Sequence, residues 1–67
     1  MKKINVMAII NEAVNTGSCY IGSYEPEFAE QTSKRIETIE RFIRKNYLMN
    51  LRNEYRNIGT ECYMVIQ

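Results

Sequence analysis

An apolar repeat with helical spacing runs through the second half of the chain and constrains the fold more than any other feature. Its members recur every three or four positions, which is the spacing of one face of an α-helix. Neither glycine nor proline interrupts residues 27–58. The sequence therefore predicts one amphipathic helix over about residues 26–57, with Pro26 in its first turn and Gly59 at its left-handed cap. The repeat consists of Phe28, Ile36, Ile39, Ile43, Tyr47, Leu51, Tyr55 and Ile58.

The segment before this helix is predicted to hold a short helix and a short strand. Asn5 can cap the short helix and Gly17 can end it. Because β-branched residues also favour extended backbone, a strand over residues 4–10 is the alternative. Residues 18–24, bounded by glycine and proline, are predicted to form a strand. The shared apolar face of the short helix consists of Val6, Ile9, Ile10 and Ala13.

The C-terminal segment alternates between two faces, as a half-buried strand does. Residues 60–67 are therefore predicted to form a second strand. One of its faces carries Cys62, Met64 and Ile66, and the other carries Tyr63 and Val65.

The lengths of these elements conflict within a single molecule. A helix of about 32 residues is about 48 Å long, so strands of about 20 Å that lead from its two ends barely meet. Either the helix breaks near Asn46 and folds back, or each strand pairs with a second copy of the chain. The absence of glycine and proline favours the continuous helix. The sequence thus predicts one small α+β domain over residues 1–67, with its strands paired across a homodimer.

The composition excludes most of the chemistry that enzymes and metal sites use. The chain has no histidine, and its eight acidic residues are all glutamate. This removes the usual general base, the commonest metal ligand and the usual third member of a catalytic triad. Cys19 and Cys62 are too far apart in sequence for a zinc or redox motif, and we expect them to be reduced and partly buried. We therefore expect no enzymatic activity, no metal and no cofactor.

Neither a membrane span nor a secretory signal is predicted. The longest apolar run, residues 6–10, is far shorter than the roughly 20 residues that cross a bilayer or the about seven that form a signal core. The expected location is the cytoplasm. The formal net charge of +1 gives no bulk field that would require nucleic acid or an acidic membrane as a ligand.

Basic side chains nevertheless cluster on one face of the predicted long helix. At about 100° of rotation per residue they fall within roughly 60°, and such a stripe can neutralise phosphates along a nucleic-acid groove. The alternative is a solvated face, because glutamates on the same helix lie four residues before two of its arginines, in the favourable order. The basic stripe consists of Lys34, Arg41, Lys45, Arg52 and Arg56.

Tyrosines are the second set of candidate binding residues. The chain has five tyrosines and no tryptophan, and tyrosine is enriched at protein interfaces because it combines a large apolar body with a polar tip. Tyr20, Tyr24 and Tyr63 are the expected contact residues, since they lie on short strands with one face left to cover. Glu54, flanked by apolar residues on the predicted helix, is expected to be half-buried against a tyrosine hydroxyl or an arginine, or else to meet a charge on a partner.

These features favour a protein-binding role over an enzymatic one. The predicted function is a non-enzymatic adaptor or inhibitor that occupies a surface of a larger protein. Abundant asparagine, isoleucine and lysine are typical of an AT-rich genome. By analogy, the chain is expected to be a phage or mobile-element product, because small proteins without catalytic residues are common among the products that modify host machinery. The alternative is a dimeric nucleic-acid-binding protein that contacts phosphates through the basic stripe.

Overall fold

The computed structural model describes residues 4–67, which form two α-helices and a three-stranded sheet. Neither helix in this range has the length and apolar character that crossing a membrane requires. The predicted α+β class is confirmed. In chain order the elements are helix α1 (Val6–Thr16), strand β1 (Ser18–Ser23), helix α2 (Ala29–Lys45), a 3₁₀ turn (Met49–Leu51), strand β2 (Asn53–Ile58) and strand β3 (Glu61–Ile66).

Helix α1 begins and ends where its capping residues predict. The Asn5 side chain accepts a hydrogen bond from the Ala8 N–H at 3.1 Å, which satisfies a donor that the first turn leaves free. Gly17 adopts a φ of 93° and donates its N–H to the Ala13 carbonyl at 2.8 Å. This is the left-handed cap that glycine adopts without a steric penalty. The alternative of a strand over residues 4–10 is wrong.

The continuous helix predicted over residues 26–57 is also wrong. Helix α2 starts at Ala29, after a turn, and ends at Lys45. The alternative of a break near Asn46 is confirmed, since Asn46 is the cap of α2, but the chain beyond it does not fold back as a second helix. It forms a 3₁₀ turn and then β2.

The end of α2 is a Schellman motif built without glycine. Tyr47 takes the left-handed conformation, with a φ of 56°. The Leu48 N–H donates to the Ile43 carbonyl at 2.9 Å, and the Tyr47 N–H donates to the Arg44 carbonyl at 3.3 Å. Leu48 also packs against the core, which supplies the apolar contact that accompanies this motif. Because tyrosine rather than glycine occupies the left-handed position, the sequence carries no ordinary stop signal there.

Strand β2 resembles a helix in sequence because its apolar spacing fits both conformations. Leu51 and Tyr55 lie four apart, and residues four apart share one face of a helix and also one face of a strand. Gly59 is left-handed, with a φ of 63°, but it lies in a two-residue turn between β2 and β3. Glycine with positive φ at the first position of such a turn is typical of a type II′ hairpin.

The three strands form one antiparallel sheet in the order β1-β3-β2. β1 pairs with β3 with a bulge between Tyr20 and Gly22, and β2 pairs with β3 in unbroken register. Since β1 and β3 pair within one chain, the lengths of the helix and strands no longer require the strands to pair across a homodimer. Association of two copies needs a different physical reason.

Both helices pack on the same face of the sheet, which we call the inner face. The core between them includes the fully buried side chains of Ile39, Cys62 and Met64. Helix α2 approaches β1 so closely that a Cβ on Gly22 would lie 2.5 Å from the Thr32 hydroxyl oxygen. That contact leaves no room for a side chain larger than glycine at this point of β1.

A polar cluster anchors β2 to α2 on the inner face. The Tyr55 hydroxyl donates to Glu40 Oε2 at 2.5 Å, and Asn53 Nδ2 donates to the same oxygen at 3.0 Å. Burial, and then the hydrogen bond to Glu40, raise the pKa of Tyr55. The carboxylate that meets a tyrosine hydroxyl is therefore Glu40, while Glu54, which is also half-buried, lies on the other face of β2.

Candidate protein-binding surface

No element within residues 4–67 covers the face of the sheet that is turned away from the helices. We call it the outer face. Side chains alternate along a strand, so this face carries the neighbours of the buried Cys19, Cys62 and Met64. The strand register aligns its side chains in rows across the sheet. The outer face consists of Ser18, Tyr20, Ser23, Glu54, Arg56, Ile58, Glu61, Tyr63 and Val65.

The middle row of the outer face runs from Tyr20 through Tyr63 to Arg56. The two tyrosine rings meet edge to face, with centroids 5.5 Å apart and an angle of 66° between their planes. Tyr20 remains 48% exposed, and Arg56 is also exposed. Tyrosine and arginine are among the residues that most often carry binding energy at protein interfaces. Here three such side chains lie together on regular backbone.

Charges flank this row on both sides. Arg56 donates from Nε to Glu54 Oε1 at 2.5 Å, and hydrogen bonds from Gln67 and then Arg56 lower the pKa of Glu54. On the other side, the Glu61 carboxylate acts as a hydrogen-bond acceptor for Tyr20 and raises the pKa of its hydroxyl. The expectation that Glu54 meets an arginine within the chain is confirmed, although on a strand and not on a helix.

A cleft of about 380 Å³ borders the outer face, between the end of β1 and the start of α2. Tyr20 and Glu61 belong to both the cleft and the outer face. Phe28, which is 44% exposed, lines the opposite wall. Arg35 also lines the cleft, but its guanidinium already donates to the Ile21 carbonyl at 2.8 Å. The cleft is therefore lined by two aromatic rings and two carboxylates.

The structure brings together two of the three tyrosines that were predicted to bind. Tyr24 packs against the core and not beside Tyr20 and Tyr63. Burial first, and then the neighbouring Cys62, raise the pKa of Tyr24. The sequence places Arg56 only in the basic stripe and does not identify Ile58 as a binding residue, because the apolar spacing assigns both to a helix. The alternation of charged or apolar residues with Asn53, Tyr55 and Asn57 was the available signal.

The predicted basic stripe does not lie along one helix. Arg52 precedes β2 in a left-handed conformation, with a φ of 55°, and Arg56 lies on the outer face. The stripe is divided because α2 ends before these two residues. On α2 itself, Lys34 is paired with Glu30 at 3.3 Å. The members that remain exposed on α2 are Lys34, Arg41 and Lys45.

The two cysteines are free and buried on the inner face. Burial raises the pKa of Cys19 to about 11, with a further contribution from Glu12, and burial also raises the pKa of Cys62. Both thiols are thus protonated near neutral pH, and a protonated, buried thiol is a poor nucleophile. Among residues 4–67 no three cysteine or glutamate side chains are grouped so that they could hold a metal ion.

Comparison of the chain with protein-family models, with curated proteins and with solved structures found no match.

Proposed function

We propose that this chain is a non-enzymatic protein-binding module, a small adaptor or inhibitor that occupies a surface of a larger protein. The observation that carries the proposal is the outer face, on which Tyr20, Tyr63 and Arg56 form one row that no element of residues 4–67 covers. Exposed apolar and aromatic surface of this kind marks interaction sites on small soluble domains. The outer face is the binding surface in this proposal, and the adjoining cleft receives a side chain of the partner.

The charge of the outer face favours a protein over a nucleic acid. Glu54 and Glu61 outnumber its single basic residue, Arg56, and that arginine is already engaged by Glu54. A surface that binds phosphates needs an excess of unengaged basic groups. On α2 the basic residues share their exposed surface with glutamates such as Glu30, so that surface is mixed in charge as well.

The available reactive groups support a role without catalysis. The chain lacks histidine, both thiols have raised pKa values, and the pKa of Tyr55 is raised by burial and by Glu40. None of these groups is poised to exchange a proton near pH 7, as a general acid or base must.

The proposal extends to the setting in which the partner is found. Two free, buried thiols fit a reducing compartment such as the cytoplasm. The small size and the abundance of asparagine, isoleucine and lysine are shared with phage and mobile-element proteins that modify host machinery. By this analogy the partner is a protein of the host.

Affinity capture with matched tyrosine variants tests the proposal. Extract from the source cells, or from their host, is passed over the immobilised wild-type chain, over Tyr20→Ala with Tyr63→Ala, and over Tyr47→Ala, and the bound proteins are quantified by mass spectrometry. Tyr47 is 83% exposed but lies off the outer face, so Tyr47→Ala is the control. We expect one specific protein on the wild-type and control columns and its loss from the double variant.

Binding of the purified partner then gives the magnitude. Each tyrosine substitution is expected to raise the dissociation constant roughly tenfold or more, as for interface anchors, while circular dichroism shows that the fold is retained. Equal binding by the double variant contradicts the proposed surface. Retention of generic DNA or RNA that falls steeply between about 50 and 200 mM salt would instead support the alternative, a nucleic-acid-binding protein that uses the basic residues of α2.

A further inference from the structure

Strand β2 is an edge strand, and its backbone alternates between β3 and the free edge. In antiparallel pairs, hydrogen-bonded positions recur at every second residue. The Gln67 N–H donates to the Arg52 carbonyl at 3.3 Å, so residues 54, 56 and 58 also direct their backbone groups to β3. Asn53, Tyr55 and Asn57 direct theirs away from the sheet. Within residues 4–67 these outward groups accept and donate no hydrogen bond.

This outward row, which we call the β2 edge, has a sequence that is complementary to itself. Residues 53–57 read Asn, Glu, Tyr, Arg, Asn. When such a segment is laid antiparallel to a copy of itself about its central tyrosine, asparagine faces asparagine and glutamate faces arginine. Opposite charges directly across an antiparallel pair stabilise it.

We propose that two copies of this chain pair along the β2 edge, antiparallel and with Tyr55 opposite Tyr55 of the second copy. The register then places Asn53 opposite Asn57 of the second copy, and all outward N–H and C=O groups at these positions meet partners. About six backbone hydrogen bonds join the copies. The result is one continuous six-stranded sheet, a closed two-fold arrangement.

The charges specify this register against its neighbours. A shift that places Tyr55 opposite Asn53 of the second copy brings Glu54 against Glu54. The opposite shift, which places Tyr55 opposite Asn57, brings Arg56 against Arg56. Shifts by one residue match outward groups with inward ones and turn the side chains to the wrong face. Only the register centred on Tyr55 pairs each Glu54 with an Arg56, twice in each dimer.

The side chains around the β2 edge fit this arrangement. Glu54 and Arg56 lie on the outer face with side chains 37% and 62% exposed, so each can exchange its partner within the strand for one across the new interface. On the inner face, the ring of Tyr55 is fixed by Glu40 and Asn53 and meets its counterpart across the two-fold axis. Aromatic pairs across strands add to the stability of a sheet.

Pairing along the β2 edge and binding of a protein through the outer face use different surfaces of the chain. In the dimer the two outer faces lie side by side on the same surface of one sheet. Tyr20 and Tyr63 remain uncovered there, because the contact is made edge to edge. Monomeric chains that still bind a protein partner through these tyrosines would overturn the dimer and leave the proposed function intact.

Charge-reversal variants test the proposal by sedimentation velocity. At roughly 100 μM, where small interfaces of micromolar affinity are populated, the wild-type chain is expected to sediment as a dimer of 7.9 kDa protomers. Glu54→Arg brings like charges together across the axis, and so does Arg56→Glu. Each is expected to raise the dimer dissociation constant roughly tenfold or more, because two attractive pairs become two repulsive ones.

A mixture of the two charge variants gives the most specific test of the proposed register. Glu54→Arg and Arg56→Glu chains are complementary to each other in the proposed register, so an equimolar mixture is expected to form a heterodimer although neither variant dimerises alone. The matched controls are Glu30→Lys and Lys34→Glu, which make the same changes of net charge at an exposed ion pair of α2. Both controls are expected to dimerise like the wild type.

A backbone variant makes the test independent of charge. In Asn57→Pro the outward N–H is lost while the pairing of β2 with β3 is kept, since proline is tolerated on the free side of an edge strand. We expect a folded monomer, with folding checked by circular dichroism. The proposal is overturned if the wild type is monomeric, if it instead pairs only with a strand of another protein, or if dimers persist unchanged in the charge variants.

Discussion

The sheet has two edge strands, β1 and β2. The backbone groups on their free edges differ in whether side chains bond to them. At β1 the outward carbonyls are occupied by side chains: Thr16 donates to Ser18 at 2.7 Å, Arg35 to Ile21 at 2.8 Å, and Thr32 to Ser23 at 2.6 Å. At β2 the outward groups of Asn53, Tyr55 and Asn57 meet no donor or acceptor within residues 4–67. We call β1 the closed edge, because helix side chains occupy these carbonyls, and β2 the open edge.

The difference shows how a small domain directs association. An open edge presents a row of unpaired N–H and C=O groups, which is a template for another strand. On β1, side chains of α1 and α2 occupy carbonyls of that template, and those of α2 anchor the helix at the same time. On β2 the template is bare, and the complementary charges of the strand favour one register.

The largest expected effect is at the closed edge, where α2 and β1 make their closest contact. In Gly22→Ala the new Cβ would lie 2.5 Å from the Thr32 hydroxyl oxygen, so either the Thr32 side chain or the helix that carries it must shift. Such overpacking destabilises by about 2 kcal/mol. Asn57→Ala at the exposed end of β2 is the matched control and should change the free energy of unfolding by less than about 0.5 kcal/mol. Urea unfolding at low protein concentration measures both, and equal effects would contradict the contrast between the edges.

A smaller effect is expected from removing the hydrogen bond to one carbonyl of β1. Thr32→Val keeps the shape of a side chain that is 1% exposed but removes the hydrogen bond to Ser23. We expect a loss of about 1.5 kcal/mol, because the part-buried Ser23 carbonyl is left unpaired. Thr38 also donates to a carbonyl of α2, at 2.9 Å, but from an exposed position, so Thr38→Val is the control. Thermal unfolding should separate the two variants, and a neutral Thr32→Val would show that this bond does not hold the edge closed.

The sequence predicts α1 and β3, but it predicts neither the end of α2 nor strand β2. Asn5 and Gly17 identify the ends of α1, and the alternation through Cys62 and Met64 identifies β3, because these signals are local. The end of α2 carries a tyrosine at its left-handed position, Tyr47, where propensity expects glycine. The four-residue spacing before Tyr55 then extends the apparent helix through β2.

The assignment of β2 to a helix also affects which binding residues the sequence predicts. Tyr20 and Tyr63 were placed on strands and do lie together on the outer face, because period two alone decides their direction. Tyr24 follows β1 and turns inward to the core, which alternation does not reveal. The β2 edge could not be predicted at all, because its outward groups exist only once residues 53–58 are known to form a strand.

The smallest stability effect is expected at the anchor of the open edge. Tyr55→Phe removes the hydrogen bond to Glu40 and is expected to lower the free energy of unfolding by about 1 kcal/mol at pH 7. The raised pKa of Tyr55 also sets a pH dependence. Stability from this group is complete below the unfolded pKa of about 10 and is lost as the pH rises above it.

Denaturant unfolding from pH 7 to pH 11 should therefore show a steeper alkaline loss in the wild type than in Tyr55→Phe. Tyr47→Phe, at an 83% exposed position, serves as the control and should follow the wild type. Parallel pH curves for the wild type and Tyr55→Phe would mean that the hydroxyl is not held by Glu40 in solution.

Amide hydrogen exchange along β2, measured by NMR over a range of protein concentrations, tests the open edge most directly. The N–H groups of Glu54, Arg56 and Ile58 should be protected at every concentration, because they bond β3. Those of Asn53, Tyr55 and Asn57 should exchange rapidly in dilute protein and become protected as the concentration rises and copies pair. Protection of these three in the most dilute sample, or rapid exchange at every concentration, would contradict an open edge that pairs with its own copy.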